Sequence, residues 1–245
     1  MNCFMKTTLL LTLSLLSFTL FAAEQRYYDV EIIIFENLDL KARESEKWPT
    51  SVEIEYPENT IQIGHPWPGL FPKEYDPKLS FKRLYKREYR LREQAKKISE
   101  SDSRRILLHT GWRQPGMSKD IALTVKLNKK IPAQSSANVI ENSEVEQGYS
   151  PSVSPWAVQE AGILEGKVKV ILARYLHVDV DLIFQAEPLQ ENDIYTIDDN
   201  DNQEIKPIVF RLKQSRRRMR SRELHYIDNP VMGMLVLITP HESKR

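Results

Sequence analysis

The sequence predicts an α+β fold, a largely antiparallel sheet with one main amphipathic helix and long loops. Three observations lead to it. Short runs of alternating or β-branched apolar residues recur from residue 27 to residue 238. One stretch, 78–99, repeats its apolar residues at three- to four-residue spacing, the period of a helix face. Polar or proline-rich tracts too long for tight turns separate these segments, which fits strands and a helix layered on one core.

Residues 27–35 (YYDVEIIIF) form the clearest strand, with Val30, Ile32 and Ile34 on one side and Asp29, Glu31 and Ile33 on the other. Residues 38–48 are charged and helix-compatible. Residues 49–77 hold six of the 14 prolines, a density that forbids long helices and central strands. The segment reads as an extended wrap pinned by Tyr56, Trp67, Phe71 and Tyr75. Asp76 and Pro77 offer an N-cap and a first turn to the helix, whose apolar side is Phe81, Leu84, Tyr85, Leu91, Ala95 and Ile98. Strands follow at 105–112 (RILLHTGW) and 121–127, and the polar stretch 128–155 reads as a mobile loop. Residues 163–172 and 175–184 alternate and are joined by Ala173 and Arg174, which marks an antiparallel pair. An acidic loop at 191–204 precedes strands at 208–212 and 232–238.

The first 23 residues stand apart. Lys6 and the α-amino group precede an uncharged run, 7–23 (TTLLLTLSLLSFTLFAA), and a charged chain follows. That is the pattern of a secretory signal peptide, cleaved after Ala23 or else retained as an N-terminal anchor; cleavage leaves 24–245 as a single α+β domain without a stable membrane span. The one cysteine, Cys3, lies ahead of the apolar run. It therefore serves neither a disulfide scaffold, nor a cysteine metal site, nor lipid attachment.

Composition excludes several classes of function. Lys and Arg total 35 against 34 Asp and Glu, so no global basic field points to nucleic acid. Neither GxGxxG nor GxxxxGKS/T occurs among only eight glycines, and GxSxG and HExxH are absent. The five histidines include three that follow a leucine at a strand position: His109, His177 and His225. Histidines so placed read as hydrogen-bonded structural residues rather than metal ligands. No catalytic residue, metal or cofactor is expected.

One local cluster is informative. Residues 211–222 (RLKQSRRRMRSR) carry seven positive charges and no acid. In an extended chain Arg216, Arg218, Arg220 and Arg222 share a face at about 6.6 Å spacing. Guanidinium binds carboxylate bidentately, so the row suits an anionic polymer or a carboxylate-bearing ligand. The alternative is an edge strand guarded by charge against aggregation. Trp48, Trp67, Trp112 and Trp156 are the aromatic residues that could stack on sugars.

Several blocks together resemble a known family. They are YYDVEIIIFEN after the signal segment, 108–115 (LHTGWRQP), Gly166 with 174–179 (RYLHVD), and 217–221 (RRMRS) leading to 223–230 (ELHYIDNP). In this order they resemble the CsiV family of bacterial peptidoglycan-binding proteins. The resemblance implies a periplasmic protein linked to cell-wall assembly and cell shape through a class A penicillin-binding protein or its lipoprotein activator. It brings no catalytic residue. Arg222 and Asn229 stand where the family pattern implies Gly and His, a departure that bears on a tight turn at 222.

The expected function is thus non-catalytic peptidoglycan binding in support of wall assembly. The alternative is a protein-interaction adaptor for a wall synthase or its activator, without direct wall binding. The repeated elements 174–177 (RYLH) and 222–225 (RELH) lead to a geometric expectation. Leu176 and Leu224 should be buried, with His177 and His225 on the opposite side. Either the histidines bond to neighbouring backbone, or Arg174, His177, Arg222 and His225 gather with Trp112 and Arg113 in one polar groove.

Overall fold

The computed structural model describes residues 25–64, 79–132, 134–135, 158–159, 161–186 and 208–242. The signal segment, Asp76 with Pro77, Trp67, Trp156, the acidic tract 191–204 and most of the expected loop 128–155 lie outside them. Two five-stranded sheets face each other. The first has the order β11-β12-β1-β4-β3, built from β1 (Tyr27–Asn37), β3 (Lys82–Arg83), β4 (Arg104–Pro115), β11 (Leu224–Asp228) and β12 (Met232–Pro240). The second has the order β10-β9-β8-β5-β2, built from β2 (Thr60–Gln62), β5 (Thr124–Ile131), β8 (Gly162–Leu172), β9 (Leu176–Ala186) and β10 (Ile208–Met219). All pairings in them are antiparallel except β2 with β5. Two short helices, α1 (Leu40–Glu44) and α2 (Arg92–Ser99), and a two-residue pair, β6 (Gln134–Ser135) with β7 (Val158–Gln159), complete the described elements. The mostly antiparallel α+β expectation holds.

Alternation places the core between the sheets. Val30, Ile32 and Ile34 of β1 sit opposite Trp112, Thr110 and Leu108 of β4 and opposite Ile238, Val236 and Met234 of β12. They meet Leu164, Val168, Val178, Val180, Leu182 and Phe184 of the second sheet in one buried cluster. Each such side chain contributes about 1.5–3 kcal/mol by leaving water. The expected hairpin at 163–184 forms as β8 and β9, in register from Gly162 with Ala186 to Leu172 with Leu176. Gly166 lies there at φ 154°, and a Cβ would stand 2.3 Å from the Asp181 carbonyl oxygen. Only glycine fits that crossing.

The helix is shorter than the spacing predicts. Of the stretch 78–99, residues 79–99 divide into a turn at Phe81 (φ 55°), strand β3, a 3₁₀ turn (Lys86–Glu88) and α2. The physical reason is that its apolar residues serve two separate cores. Phe81 enters the cluster between the sheets, while Leu91, Ala95 and Ile98 pack with Ile33 and Phe35 on the outer face of the first sheet. One straight helix cannot reach both faces. The start of α2 is supplied from a neighbouring strand. Glu31, itself buried, accepts Arg90 N at 2.6 Å and Leu91 N at 3.1 Å, and His109 Nε2 donates to it at 2.7 Å. A carboxylate at that helix end meets its unpaired N–H groups and the positive end of its dipole.

Strand β5 also continues through Asn128 to Ile131, where the loop was expected to begin. Pairing with β8 carries it on past Leu127. The proline-bearing wrap is present over part of its length. Ile54 packs on Ile183 and Val209, and Tyr56 donates to Glu165 at 2.8 Å, so residues 52–56 cover part of the second sheet's outer face.

Candidate ligand-binding site

Farther along that face, Arg174, Tyr175 and Arg218 are exposed. Here β8 ends, β9 begins, β10 ends and the chain turns into β11, all at one end of the sandwich. Leu172 N donates to Met117 O at 2.8 Å and ties the ends of the two sheets together. Arg218 lies opposite His177 in register and on the outer side of the sheet. Its guanidinium carbon is 3.8 Å from the centroid of the Tyr175 ring, and that of Arg174 is 5.7 Å from the same ring. Tyr175 thus holds two guanidiniums in a fixed array at the β8–β9 turn.

The expected straight row of arginines is broken. The β9–β10 register shifts between Gln214 and Arg217, and Arg216 adopts φ 48° with its N–H donating to Asp179 Oδ1 at 2.5 Å. The strand stops at Met219, and Arg222 takes φ 65° in the turn that follows. The turn expected of a glycine at 222 is therefore made with arginine in the left-handed region. Arg216, Arg217, Arg218, Arg220 and Arg222 are nonetheless all exposed. They form a curved ledge instead of a flat row, because a bulge and a turn re-aim successive side chains. With Arg174 the ledge carries six guanidiniums. The contacting carboxylates are Asp179, Glu223 (3.5 Å from Arg220) and Glu242 (2.9 Å from Arg222).

The two RxLH elements differ. Leu176 is buried as expected, but Leu224 is 46% exposed, because β11 is the edge of its sheet and Leu224 faces outward opposite Leu237. His177 is half-buried. His225 accepts the Arg220 N–H at Nε2, 3.1 Å away, which is the backbone-bonded alternative. Asn229 organises the β11–β12 turn: its Oδ1 accepts Val231 N and Met232 N, and its Nδ2 donates to Arg211 O.

Trp112 and Arg113 stand elsewhere. Trp112 is 0% exposed, with its indole N–H donated to Gln114 at 2.8 Å, so it offers no ring face to a ligand. Its opposition to Val30 turns it inward. Trp48 likewise packs edge-on to Phe210 at 5.1 Å. Arg113 points to the outer face of the first sheet, where it pairs with Asp29 (2.6 and 3.1 Å) and Glu88 (3.3 Å). Burial works against its charge, yet Asp29 and Glu88 outweigh it and hold its pKa above the ordinary value. Burial and the nearby Arg113 push His241, beside it, below its usual value. Arg113 and His241 line a cleft of about 660 Å³ with Arg87, Arg90 and Arg92, a cleft lined by neither Arg174 nor Arg222. Arg113, Arg174 and Arg222 thus have separate partners and form no common groove among the described residues.

Tyr175 and Arg217 were missed. Tyr175 was legible, since it shares the exposed side of the RYLH element with His177; the exposure of Arg217 depends on the bulge before it.

Fold and ledge together define a two-sheet protein with an exposed cationic end. The model of the CsiV family, described as peptidoglycan-binding protein, matches residues 5–241, and the chain belongs to that family. No curated protein and no solved structure matches the chain.

Proposed function

We propose that this chain is a non-catalytic periplasmic protein that binds peptidoglycan and supports cell-wall assembly. The observation that carries the reading is the exposed guanidinium ledge of Arg174, Arg216, Arg218, Arg220 and Arg222 in a member of a family described as peptidoglycan-binding. Peptide stems of the wall end in carboxylates, which guanidinium meets with two parallel hydrogen bonds. His177 lies opposite Arg218 in the strand pairing, and His225 accepts the Arg220 N–H, so both border the ledge. Arg113 contributes from its own cleft, and the leader 1–23 accounts for export. Purified sacculi provide the test. The protein without residues 1–23 is expected to sediment with them at low salt; a protein left in the supernatant at low and moderate salt contradicts the reading.

The exposed basic side of α2, Arg92, Lys96 and Lys97, favours a second reading. In it the chain is an adaptor for a class A penicillin-binding protein or its lipoprotein activator. Crosslinking in cells separates the two: protein contacts without retention on bare sacculi support the adaptor.

A further inference from the structure

The outer face of the first sheet is covered by α2 over Ile33, Phe35, Leu235 and Leu237, but the cover stops short of β11. Register puts Leu224, Tyr226 and Asp228 on this face, opposite Leu237, Leu235 and Gly233. Leu224 and Tyr226 are 46% and 47% exposed, two large apolar side chains side by side at a sheet edge. Gly233 makes the place flat. A Cβ there would lie 2.4 Å from a Phe35 ring atom, so the Phe35 ring rests on bare backbone. The Tyr226 ring runs parallel to it, 3° apart in plane, with centroids 6.2 Å apart. The two rings, Arg104, Asp228 and Gly233 line a cavity of about 470 Å³. That is within the size range of small-ligand sites, about 300–1,000 Å³.

The polar rim says which ligand fits. The side-chain amides of Asn37 and Asn229 are engaged by Pro230 O and Arg211 O. Recognition therefore falls to Asp228, to the Tyr226 hydroxyl near it, and to Arg104, whose guanidinium lies 5.7 Å from the Phe35 ring. One carboxylate and one guanidinium cancel, so the platform selects neither a polyanion nor a polycation. A pyranose has an apolar face to lay on an aromatic ring and a hydroxyl edge to give to a carboxylate and a guanidinium. We propose that the outward face of β11, centred on Tyr226, is a saccharide subsite that takes an N-acetylhexosamine ring of a neutral glycan.

The subsite deepens the wall-binding reading and rests on it for the source of the glycan. Leu224, Tyr226 and Asp228 lie on the outer face of the first sheet, and Arg222 stands in the turn that leads into β11, so along the chain the platform adjoins one end of the ledge.

The probe is chitotetraose, a soluble neutral N-acetylhexosamine oligomer, titrated into the protein by calorimetry alongside sacculus sedimentation. Saturable binding is expected, with Tyr226→Ala weakening it about tenfold, the value of one stacked ring. Asp228→Asn, which keeps the shape and removes the charge, is expected to weaken it too. Thermal midpoints identify any variant whose loss is one of folding, and the second variant then decides. A protein that sediments with sacculi yet shows no saturable chitotetraose binding overturns the subsite while the wall-binding reading stands. Chitotetraose binding equal in Tyr226→Ala, Asp228→Asn and wild type also overturns it. Tyr226-dependent chitotetraose binding without sacculus binding upholds the subsite and overturns the wall-binding reading.

Discussion

At one end of the sandwich, Glu36 is 0% exposed and accepts Arg105 Nη2 at 2.6 Å and Nε at 3.1 Å, with Arg43 on its other oxygen. The two guanidiniums lie over Phe210 and Phe184 of the opposite sheet. At the other end, Arg174, Arg217, Arg218, Arg220 and Arg222 stand in solvent with few carboxylates near them. The same side chain does two jobs, and desolvation decides which. A buried guanidinium must be matched by an internal carboxylate, so it fixes how the sheets meet. An exposed one retains its hydration and its capacity for an external anion.

The comparison breaks most visibly at Glu36. Glu36→Ala removes the buried carboxylate on which both guanidiniums converge and is expected to cost about 3–5 kcal/mol in urea unfolding. A loss below about 1 kcal/mol would mean that water reaches the pair and that the two ends are alike. Next come Arg174→Ala and Arg218→Ala. Each is expected to weaken sacculus binding severalfold with stability within about 0.5 kcal/mol of wild type. Large destabilisation with unaltered binding would return both residues to a structural role around Tyr175. The smallest effect sharpens the contrast. Arg222→Gly relieves a side chain at φ 65° and is expected to raise stability by about 0.5–1 kcal/mol in thermal unfolding while reducing wall binding. A stability loss would show that the Arg222–Glu242 pair outweighs the backbone strain.

Period-two alternation made β1, β8 and β9 legible, because one buried face is written into every second residue, and β12 was legible as an apolar run. The same rule was enough to place Trp112 inward once its register with Val30 is known, but register is a tertiary fact that a segment does not carry. The helix was over-read since Phe81 and Leu91 share a spacing without sharing a core. Leu224 was misplaced because burial at an edge strand depends on where α2 ends. The arginine cluster was visible as composition, whereas its shape was not. A bulge at Arg216 and a left-handed Arg222 leave no mark in the order of the residues. Phe35 and Tyr226 become neighbours only across Gly233, 198 positions from the first ring by the numbering of the chain.

The central claim, that the exposed cationic end holds the wall, is tested most directly by sacculus sedimentation over a salt series. The comparison is between wild type and the triple variant Arg217→Gln, Arg218→Gln, Arg220→Gln. Wild type is expected to sediment at about 0.01 M salt and to be released progressively toward about 0.5 M, as screening shortens the reach of exposed charge. The folded triple variant is expected to remain in the supernatant throughout. Salt-independent sedimentation, equal for both proteins, would contradict the account.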